Sequence, residues 1–355
     1  MAVAAVAEID MICNNTNRLL LQFHITGRCN MQCKHCYRTE GNVQPLTTEM
    51  VLDVIDQFAQ LQEQYNSIHH LKKKGHINIT GGEPFIREDI DRILDYLGSY
   101  KKHISFGVLS NGSFLDEDKI KILKKNSVAF VQLSIDGNRD IHDSLRAPGD
   151  YERTLRTAKM LEQHGIHTHI SFTANQSNYV YLPRVASACR KHGITKLWTD
   201  RLVPIGAGEQ LLDSVITKDF LSEYLKAIKK AQGTWVTKLL YPKTQVTANR
   251  ALQFLGTGGQ VYSCSAGISL ITVDEFGNVM PCRRMPIICG NILEEPLKNI
   301  YFEHDVFVSL RKKDIPKSCS HCQYSYYCRG GAKCQAYAVF GNLHKADPSC
   351  PLIKG

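Results

Sequence analysis

Residues 18–36 read RLLLQFHITGRCNMQCKHC, an apolar run followed closely by three cysteines. The run from Arg18 to Ile25 has the length and composition of a buried strand. Cys29, Cys33 and Cys36 fall in the loop after it. Thiolates suit soft metals, and a cluster held by only three of them keeps one coordination position open for chemistry. This stretch therefore predicts a strand that carries a reactive metal site at its carboxyl end.

The first half of the chain repeats one plan, a short apolar strand followed by an amphipathic helix. After the first strand, strand-like runs recur at residues 76–80, 104–110, 129–135, 169–174 and 197–203. Thr47 or Thr48 and Asp116 are candidate helix N-caps, while Gly165 and Gly193 are candidate helix stops. Alternating strands and helices indicate an α/β fold with a parallel sheet. Six such units favour a partial (β/α)6 TIM-like barrel, whose functional groups lie on the loops after the strands.

The second half of the chain is rich in cysteine: eight of the ten cysteines outside the first loop fall between Cys264 and Cys350. We expect an N-terminal segment at residues 1–18 and the barrel at 19–215. A helical connector at 216–259 and a small cysteine-rich α+β domain at 260–355 follow.

The composition, 43% hydrophobic and 22% charged over 355 residues, is that of a soluble globular protein. No apolar run approaches the roughly 20 residues of a membrane span. No basic residue precedes the mildly apolar first seven residues, which argues against a signal peptide. We therefore expect a cytoplasmic protein with no membrane partner. In a reducing compartment, thirteen cysteines favour metal ligands over disulfides.

The net charge of +9 raises the question of a nucleic-acid partner. The basic residues form only short runs, at 72–74 and 311–313, with no interleaved aromatic residues. Bound iron-sulfur clusters would also reduce the surplus of positive charge. A zinc-stabilised nucleic-acid-binding protein is the alternative outside enzymes. Zinc, however, prefers four ligands in paired knuckles.

A second motif, Gly81-Gly82-Glu83-Pro84, follows the second predicted strand. With the CxxxCxxC loop, it resembles the radical S-adenosylmethionine (SAM) superfamily. The resemblance implies that a 4Fe-4S cluster binds Cys29, Cys33 and Cys36, and that its open iron binds the amino and carboxylate groups of SAM. Reductive cleavage of SAM would then give a 5'-deoxyadenosyl radical that abstracts hydrogen from carbon.

The resemblance also implies SAM contacts on the loops after the strands. The Gly81–Pro84 loop would meet the SAM amino group, with glycines that allow close backbone approach and Glu83 as an acceptor. Polar residues at strand ends are equally typical of helix caps, so this alternative stays open. The other candidates are Ser110 and Asn111 after the third strand, Ser134 and Asp136 near the SAM ribose or carboxylate, Arg146 at the SAM carboxylate, and His35 near the adenine.

The later cysteines resemble the SPASM domain, which holds two auxiliary 4Fe-4S clusters. The resemblance assigns Cys319, Cys322, Cys328 and Cys350 to one cluster. It assigns Cys264, Cys282 and Cys334 to the other, although five residues separate Cys328 from Cys334 where the family usually has three. The fourth position of that cluster stays open for substrate or for Cys289, whose more ordinary interpretation is a small buried hydrophobe. Cys13 and Cys189 lie outside both patterns.

The resemblance implies a radical SAM oxidoreductase or maturase that abstracts hydrogen from a peptide or protein and oxidises or cross-links it through thioether or carbon-carbon bonds. Oxidation of a tetrapyrrole or other small molecule is an alternative. Sulfatase maturation is another, but Arg283 stands where those relatives carry an aspartate. Arg283 and Arg284 could instead meet an acidic peptide or carboxylate. Residues 1–18 are too few for a leader-recognition domain, so we expect a separate leader-binding protein, with flavodoxin or ferredoxin as electron donor.

Overall fold

The computed structural model describes residues 18–38, 45–312 and 314–353. The predicted N-terminal segment and Cys13 therefore lie outside the described residues, apart from Arg18. The described strands form one sheet in the order β7-β6-β5-β4-β3-β2-β1-β8-β9. The strands are β1 (Leu20–His24), β2 (Gly75–Thr80), β3 (Ile104–Leu109), β4 (Phe130–Ser134), β5 (Thr168–Ala174), β6 (Lys196–Arg201), β7 (Gln245–Thr247), β8 (Leu270–Val273) and β9 (Val279–Met280).

Every strand pair is parallel except β8 with β9, which is antiparallel. The sheet does not close, since β7 and β9 form its two edges. All six predicted strands are present, and the prediction of an α/β fold with a partial barrel is confirmed. Leu21 and Phe23 of β1 are fully buried, because this strand lies well inside the sheet.

Six helices follow the strands of the barrel. The caps form as predicted: Thr47 Oγ1 accepts from the Met50 N–H at 3.3 Å, and Asp116 Oδ1 accepts from the Lys119 N–H at 2.8 Å. Gly165 and Gly193 follow helix ends with φ of 77° and 64°, which glycine adopts without strain. The helices are α1 (Thr48–Ile68), α2 (Ile90–Ser99), α3 (Glu117–Lys125), α4 (Arg139–Leu145), α5 (Asp150–Gln163) and α6 (Leu182–Lys191).

The rest of the described chain holds seven further α-helices, and the longest of them, α7, has 15 residues and lies in the expected connector. Short 3₁₀ segments occur at Pro84–Ile86, Tyr179–Tyr181, Gly206–Ser214 and Lys317–Cys319. The α-helices are α7 (Lys218–Gln232), α8 (Trp235–Leu240), α9 (Phe254–Thr257), α10 (Leu297–Glu303), α11 (Asp305–Arg311), α12 (Ser325–Cys328) and α13 (Lys333–Phe340).

Strands β7, β8 and β9 were not predicted from the sequence, because two to four residues carry too little periodicity to detect. Strand β8 pairs in parallel with β1, from Leu20 opposite Leu270 to Phe23 opposite Val273. The cysteine-rich segment is thus joined directly to the strand that precedes the first cysteine loop. This pairing fixes where the later cysteines lie relative to Cys29–Cys36.

None of the helices in the described ranges is both long and apolar enough to cross a membrane.

Candidate active site

Cys29, Cys33 and Cys36 lie half-buried on the loop after β1. The charge of each acts on its neighbours, and the Cys36 N–H donates to the Cys33 carbonyl at 3.1 Å. Burial raises the pKa of Cys33 to about 11, although Arg146, whose Nη1 lies 3.8 Å from Cys33 Sγ, opposes the rise. Asn111 Nδ2 lies 4.0 Å from Cys29 Sγ. Three clustered thiols that need positive charge to ionise suit an iron-sulfur cluster.

The Gly81-Gly82 turn packs against the backbone just before Cys29. The Gly82 N–H donates to the Thr26 carbonyl at 2.8 Å, and Gly81 has a φ of +145°. A Cβ on Gly81 would lie 2.3 Å from Thr26 O, and one on Gly82 would lie 2.1 Å from Arg28 O. The sequence suggested that these glycines admit a ligand. The structure shows a more direct reason for two glycines here. The Gly81-Gly82 turn and the loop after β1 contact each other through their backbones, which leaves no room for a Cβ.

Glu83 is fully buried and braces the loops after β2 and β3. Its Oε1 accepts from the Ser110 hydroxyl at 2.8 Å and the Phe85 N–H at 3.2 Å, and Oε2 accepts from the Asn111 N–H at 2.7 Å. Burial raises the pKa of Glu83 to about 7 against the effect of these donors. Pro84 begins the 3₁₀ turn that follows. The carboxylate thus serves mainly to hold the loop in place.

Asp136 and Arg146 pair with each other beside the cysteine loop. Arg146 Nε donates to Asp136 Oδ2 at 2.6 Å, and the Thr173 N–H donates to Oδ1 at 2.7 Å. Burial works to raise the pKa of Asp136, but the charges of Arg146 and His35 outweigh it and hold this pKa well below its ordinary value. His35 Nε2 lies 3.4 Å from Asp136 Oδ2 and 3.2 Å from Arg146 Nη2.

This pairing changes what each predicted SAM contact can do. Asp136 is fully buried with both oxygens engaged, so it holds Arg146 in place and lies beside His35. Arg146 reaches Cys33 with Nη1, while its Nη2 lies against His35. Ser134 ends β4 and is half-buried. The structure therefore brings His35, Asp136 and Arg146 together on one side of the cysteine loop, with Glu83 and Asn111 on the other.

A buried series of side-chain contacts, which the sequence did not reveal, begins at the backbone N–H of Asp136. His142 Nδ1 lies 3.1 Å from the Asp136 N–H, and its Nε2 lies 2.9 Å from Asp150 Oδ2. Arg153 pairs with Asp150 and also lies 3.5 Å from the Met31 sulfur in the cysteine loop. No sequence motif indicates this series, because His142 lies on α4 while Asp150 and Arg153 lie on α5, and the two helices meet only in the fold.

Cys319, Cys322, Cys328 and Cys350 line a single cavity that is partly open to solvent, together with apolar side chains such as Leu252 and Phe254. Burial raises the pKa of Cys328 to about 12, and Cys350 and Cys319 add to the rise. Four thiols around one apolar cavity fit an iron-sulfur cluster better than a single ion. Across the described ranges, no three His, Cys, Asp or Glu side chains converge on one metal ion.

Cys264, Cys282 and Cys334 form the third group, despite the unusual spacing before Cys334. Burial raises the pKa of Cys334, and the charges of Cys282 and Cys264 add to the rise. Cys289 does not join them. Its thiol lies 3.4 Å from the Ile287 carbonyl, burial alone raises its pKa to about 12, and it belongs to the main apolar core, as does Cys189.

The sequence offered Arg283 and Arg284 to an anionic substrate, and each lies beside a carboxylate in the structure. Arg284 Nη1 lies 2.9 Å from Asp200 Oδ2. Arg283 Nη1 lies 3.6 Å from Asp274 Oδ2. Arg201, at the end of β6, is buried against Asp347 with contacts of 3.0 and 2.5 Å. Arg201 therefore ties the end of β6 to the cysteine-rich segment.

Replacing Glu83 with alanine is expected to lower the free energy of unfolding by about 2–4 kcal/mol, because the Phe85 and Asn111 N–H groups lose their acceptor. Between pH 4.5 and about 7 the folded protein holds a Glu83 proton that the unfolded chain releases. The free energy of unfolding therefore falls as pH rises through this window. The Glu83→Ala variant should lack this part of the pH dependence. Urea unfolding at several pH values measures both effects. Exposed Glu88→Ala is the control, and an equal change there would contradict the assignment.

Comparisons with known proteins agree with this geometry. Residues 23–186 match the family model of the Radical SAM superfamily, and residues 264–323 match that of SPASM, an iron-sulfur cluster-binding domain. The AdoMet-dependent heme synthase of Oleidesulfovibrio alaskensis is 26% identical, with 93% of this chain and 86% of that protein covered. The mycofactocin maturase MftC of Mycolicibacterium smegmatis is also 26% identical, with 94% and 82% covered.

Among solved structures, Streptococcus suis SuiB bound to its precursor peptide SuiA superposes with a TM-score of 0.69 at 15% identity, covering 100% of this chain and 79% of that one. This likeness shows a shared fold. With the two family matches and the three cysteine groups, it leads to one conclusion. The chain belongs to the radical SAM superfamily, carries a SPASM iron-sulfur domain, and is an enzyme.

Proposed function

We propose that this enzyme cleaves SAM reductively at Cys29, Cys33 and Cys36 and abstracts hydrogen from a peptide or protein, which it oxidises or cross-links. One observation carries the proposal: Cys36 of the first cysteine loop and Cys282 of a later cysteine group both lie close enough to Tyr37 for their charges to act on it. Burial raises the pKa of Tyr37 to about 12, and the charges of Cys36 and Cys282 add to the rise. Both sulfurs therefore act on one hydroxyl.

Family membership supports iron-sulfur clusters and SAM as cofactors. Their number, three 4Fe-4S clusters, is part of the proposal. A cluster on Cys29, Cys33 and Cys36 would supply the electron that breaks the sulfonium bond of bound SAM. The protein's own part is positional, since Arg146 holds Cys33 and His35 while Glu83 holds the Gly81-Gly82 turn against Thr26 and Arg28.

The later cysteines would provide a place for the electron that a two-hydrogen oxidation leaves behind. Cys319, Cys322, Cys328 and Cys350 suit one cluster within their cavity. Cys264, Cys282 and Cys334 suit another with one position free of cysteine, because Cys289 lies in the main core. The proposal includes a small electron carrier such as flavodoxin or ferredoxin, a separate leader-binding protein, and a location in the reducing cytoplasm.

Two comparisons support a peptide substrate: a maturase is among the relatives, and SuiB is bound to a precursor peptide. The heme synthase relative, at equal identity, supports a second candidate, oxidation of a tetrapyrrole. The two substrates can be separated because one loses hydrogen from amino-acid side chains and the other from its propionates or ring substituents.

The anaerobically reconstituted and reduced enzyme, given SAM, is offered peptides encoded beside its gene in one reaction and iron-coproporphyrin in another. We expect a peptide to lose two hydrogens by mass spectrometry, with no change in the porphyrin. The Cys36→Ala variant is the control for chemistry that does not depend on SAM. A porphyrin product with every peptide unchanged would overturn the peptide proposal in favour of the second candidate.

A further inference from the structure

One end of the barrel carries a set of exposed lysines. Strands β1 to β8 are parallel and begin at the same end of the sheet, so the segments that precede them are gathered there. Five of these segments carry exposed lysines. They are Lys72, Lys73 and Lys74 before β2, Lys101 and Lys102 before β3, Lys124 and Lys125 before β4, Lys191 before β6, and Lys243 before β7. The Cys29–Cys36 loop follows a strand and therefore lies at the opposite end.

Few acidic groups neutralise this end. Lys125 lies 3.0 Å from Asp95, and Lys243 lies 2.8 Å from Glu162. Lys229, Lys230, Lys238 and Lys243 lie in a stretch, residues 224–244, that contains no aspartate or glutamate. The basic end is therefore a net positive surface, which suits an anionic partner.

Helix α8 exposes an apolar face at the same end. Trp235 is 76% exposed, Leu239 71% and Leu240 68%, and no residue of this helix is buried. The chain that follows is fixed to the start of β6, where Thr244 Oγ1 donates to the Ile194 carbonyl at 2.7 Å and the Gln245 N–H donates to Thr195 at 2.9 Å. Helix α8 thus lies beside the lysines, away from the cysteines.

The residues of α8 are arranged as in an interfacial helix. At about 100° per residue, Trp235, Val236, Leu239 and Leu240 cover an arc of roughly 140°, while Thr237 and Lys238 occupy the other side. An exposed tryptophan and leucines ringed by lysines match the boundary of an anionic bilayer, where the apolar face enters the acyl region and the lysines meet headgroups.

We propose that this end of the barrel docks on an anionic lipid surface through α8 and the surrounding lysines. The sequence-based expectation of no membrane partner rested on the lack of a spanning run, which peripheral docking does not need. A second copy of this chain is a poorer occupant, because a two-fold contact would set lysines against lysines. A nucleic acid would use the lysines but leave the apolar face in water. Docking would leave the cysteine loop facing away from the lipid.

The test uses the reconstituted holoenzyme and two kinds of vesicle, phosphatidylcholine alone and phosphatidylcholine with about one third phosphatidylglycerol. We expect co-sedimentation only with the anionic vesicles, weakened by salt, and a blue shift in tryptophan emission. Trp198, the second of the two tryptophans, has its indole N–H bonded to Gln132 at 3.0 Å inside the barrel, so the shift reports Trp235.

Leu239→Ser with Leu240→Ser should weaken vesicle binding by at least about ten-fold and leave SAM cleavage unchanged. Lys229→Gln with Lys230→Gln should weaken it by about five-fold per lysine. Leu212→Ser is the matched control, because Leu212 is 54% exposed in the segment after β6, at the other end of the barrel.

Three outcomes would overturn the proposal. The first is no preference for anionic vesicles. The second is binding that the serine variants do not weaken, together with equal binding to a DNA duplex, which would indicate a nucleic-acid face. The third is a dimer by light scattering that the serine variants dissociate, with no vesicle binding by the wild type, which would assign α8 to a second copy.

Discussion

Alanine at Cys29, Cys33 and Cys36 together is expected to abolish reductive cleavage of SAM, with a loss of at least about 10³-fold in 5'-deoxyadenosine formation. The reason is that the proposed function assigns reductive cleavage to these three clustered thiols, which lie within the radical SAM match. Iron content should fall by about four atoms per chain, because the other two cysteine groups are separate from this one. Chromatography of the nucleoside products and iron analysis measure the two effects.

The control is Cys189→Ala, which removes a buried cysteine of α6 that belongs to the main core. It should keep both the iron content and the cleavage activity, at some cost in thermal stability from the small cavity it leaves. SAM cleavage that survives in the triple variant would contradict the assignment of this loop as the radical-generating centre.

Asp347→Ala is expected to destabilise the protein by about 3–5 kcal/mol, because it leaves Arg201 buried and unpaired. The Ala332 and Ser349 N–H groups also lose their acceptor, at 3.2 and 3.1 Å. These residues lie beside Cys334 and Cys350, so iron content should fall as well. Thermal unfolding of the holoenzyme and iron analysis check both expectations.

Two further variants separate this ion pair from a general effect of removing charge. Glu223→Ala breaks the exposed pair with Lys226, at 2.7 Å, and should change little. Arg201→Met combined with Asp347→Leu should recover part of the lost stability, since an apolar pair can replace a buried ion pair. An Asp347→Ala protein with unchanged melting and full iron would show that the pair does not hold the cysteine-rich segment.

The features predictable from the sequence are those set by local periodicity or by spacing. The six longer strands and the caps at Thr47 and Asp116 follow from residue patterns a few positions long. The two later cysteine groups were assigned from the resemblance to the SPASM domain, including Cys334, whose spacing departs from the family pattern. Strands β7, β8 and β9 were not predicted, because each is too short to show the alternation of apolar and polar residues that marks a strand.

The features that could not be predicted depend on partners distant in the chain. Arg201 at the end of β6 is paired with Asp347, which lies 146 residues later in the chain. Asp136 and Arg146 were each assigned to SAM, yet they pair with each other at 2.6 Å. A list of polar residues at strand ends cannot tell which of them will neutralise one another.

The distribution of positive charge likewise depends on parts of the chain that are distant in the sequence. The runs at 72–74 and 101–102 look short and unrelated in the sequence. Parallel pairing of β2 and β3 places both at one end of the barrel. Charge patterns in an α/β chain therefore have meaning only after the strand order is known.

The measurement that tests the central claim most directly is hydrogen transfer from a deuterated peptide substrate to 5'-deoxyadenosine. The reduced enzyme, SAM and the peptide are incubated without oxygen, and both products are analysed by mass spectrometry. We predict deuterium in the 5'-deoxyadenosine and a peptide that has lost two hydrogen positions. Unlabelled 5'-deoxyadenosine with an intact peptide would show that the radical does not act on the peptide, which would contradict the proposed function.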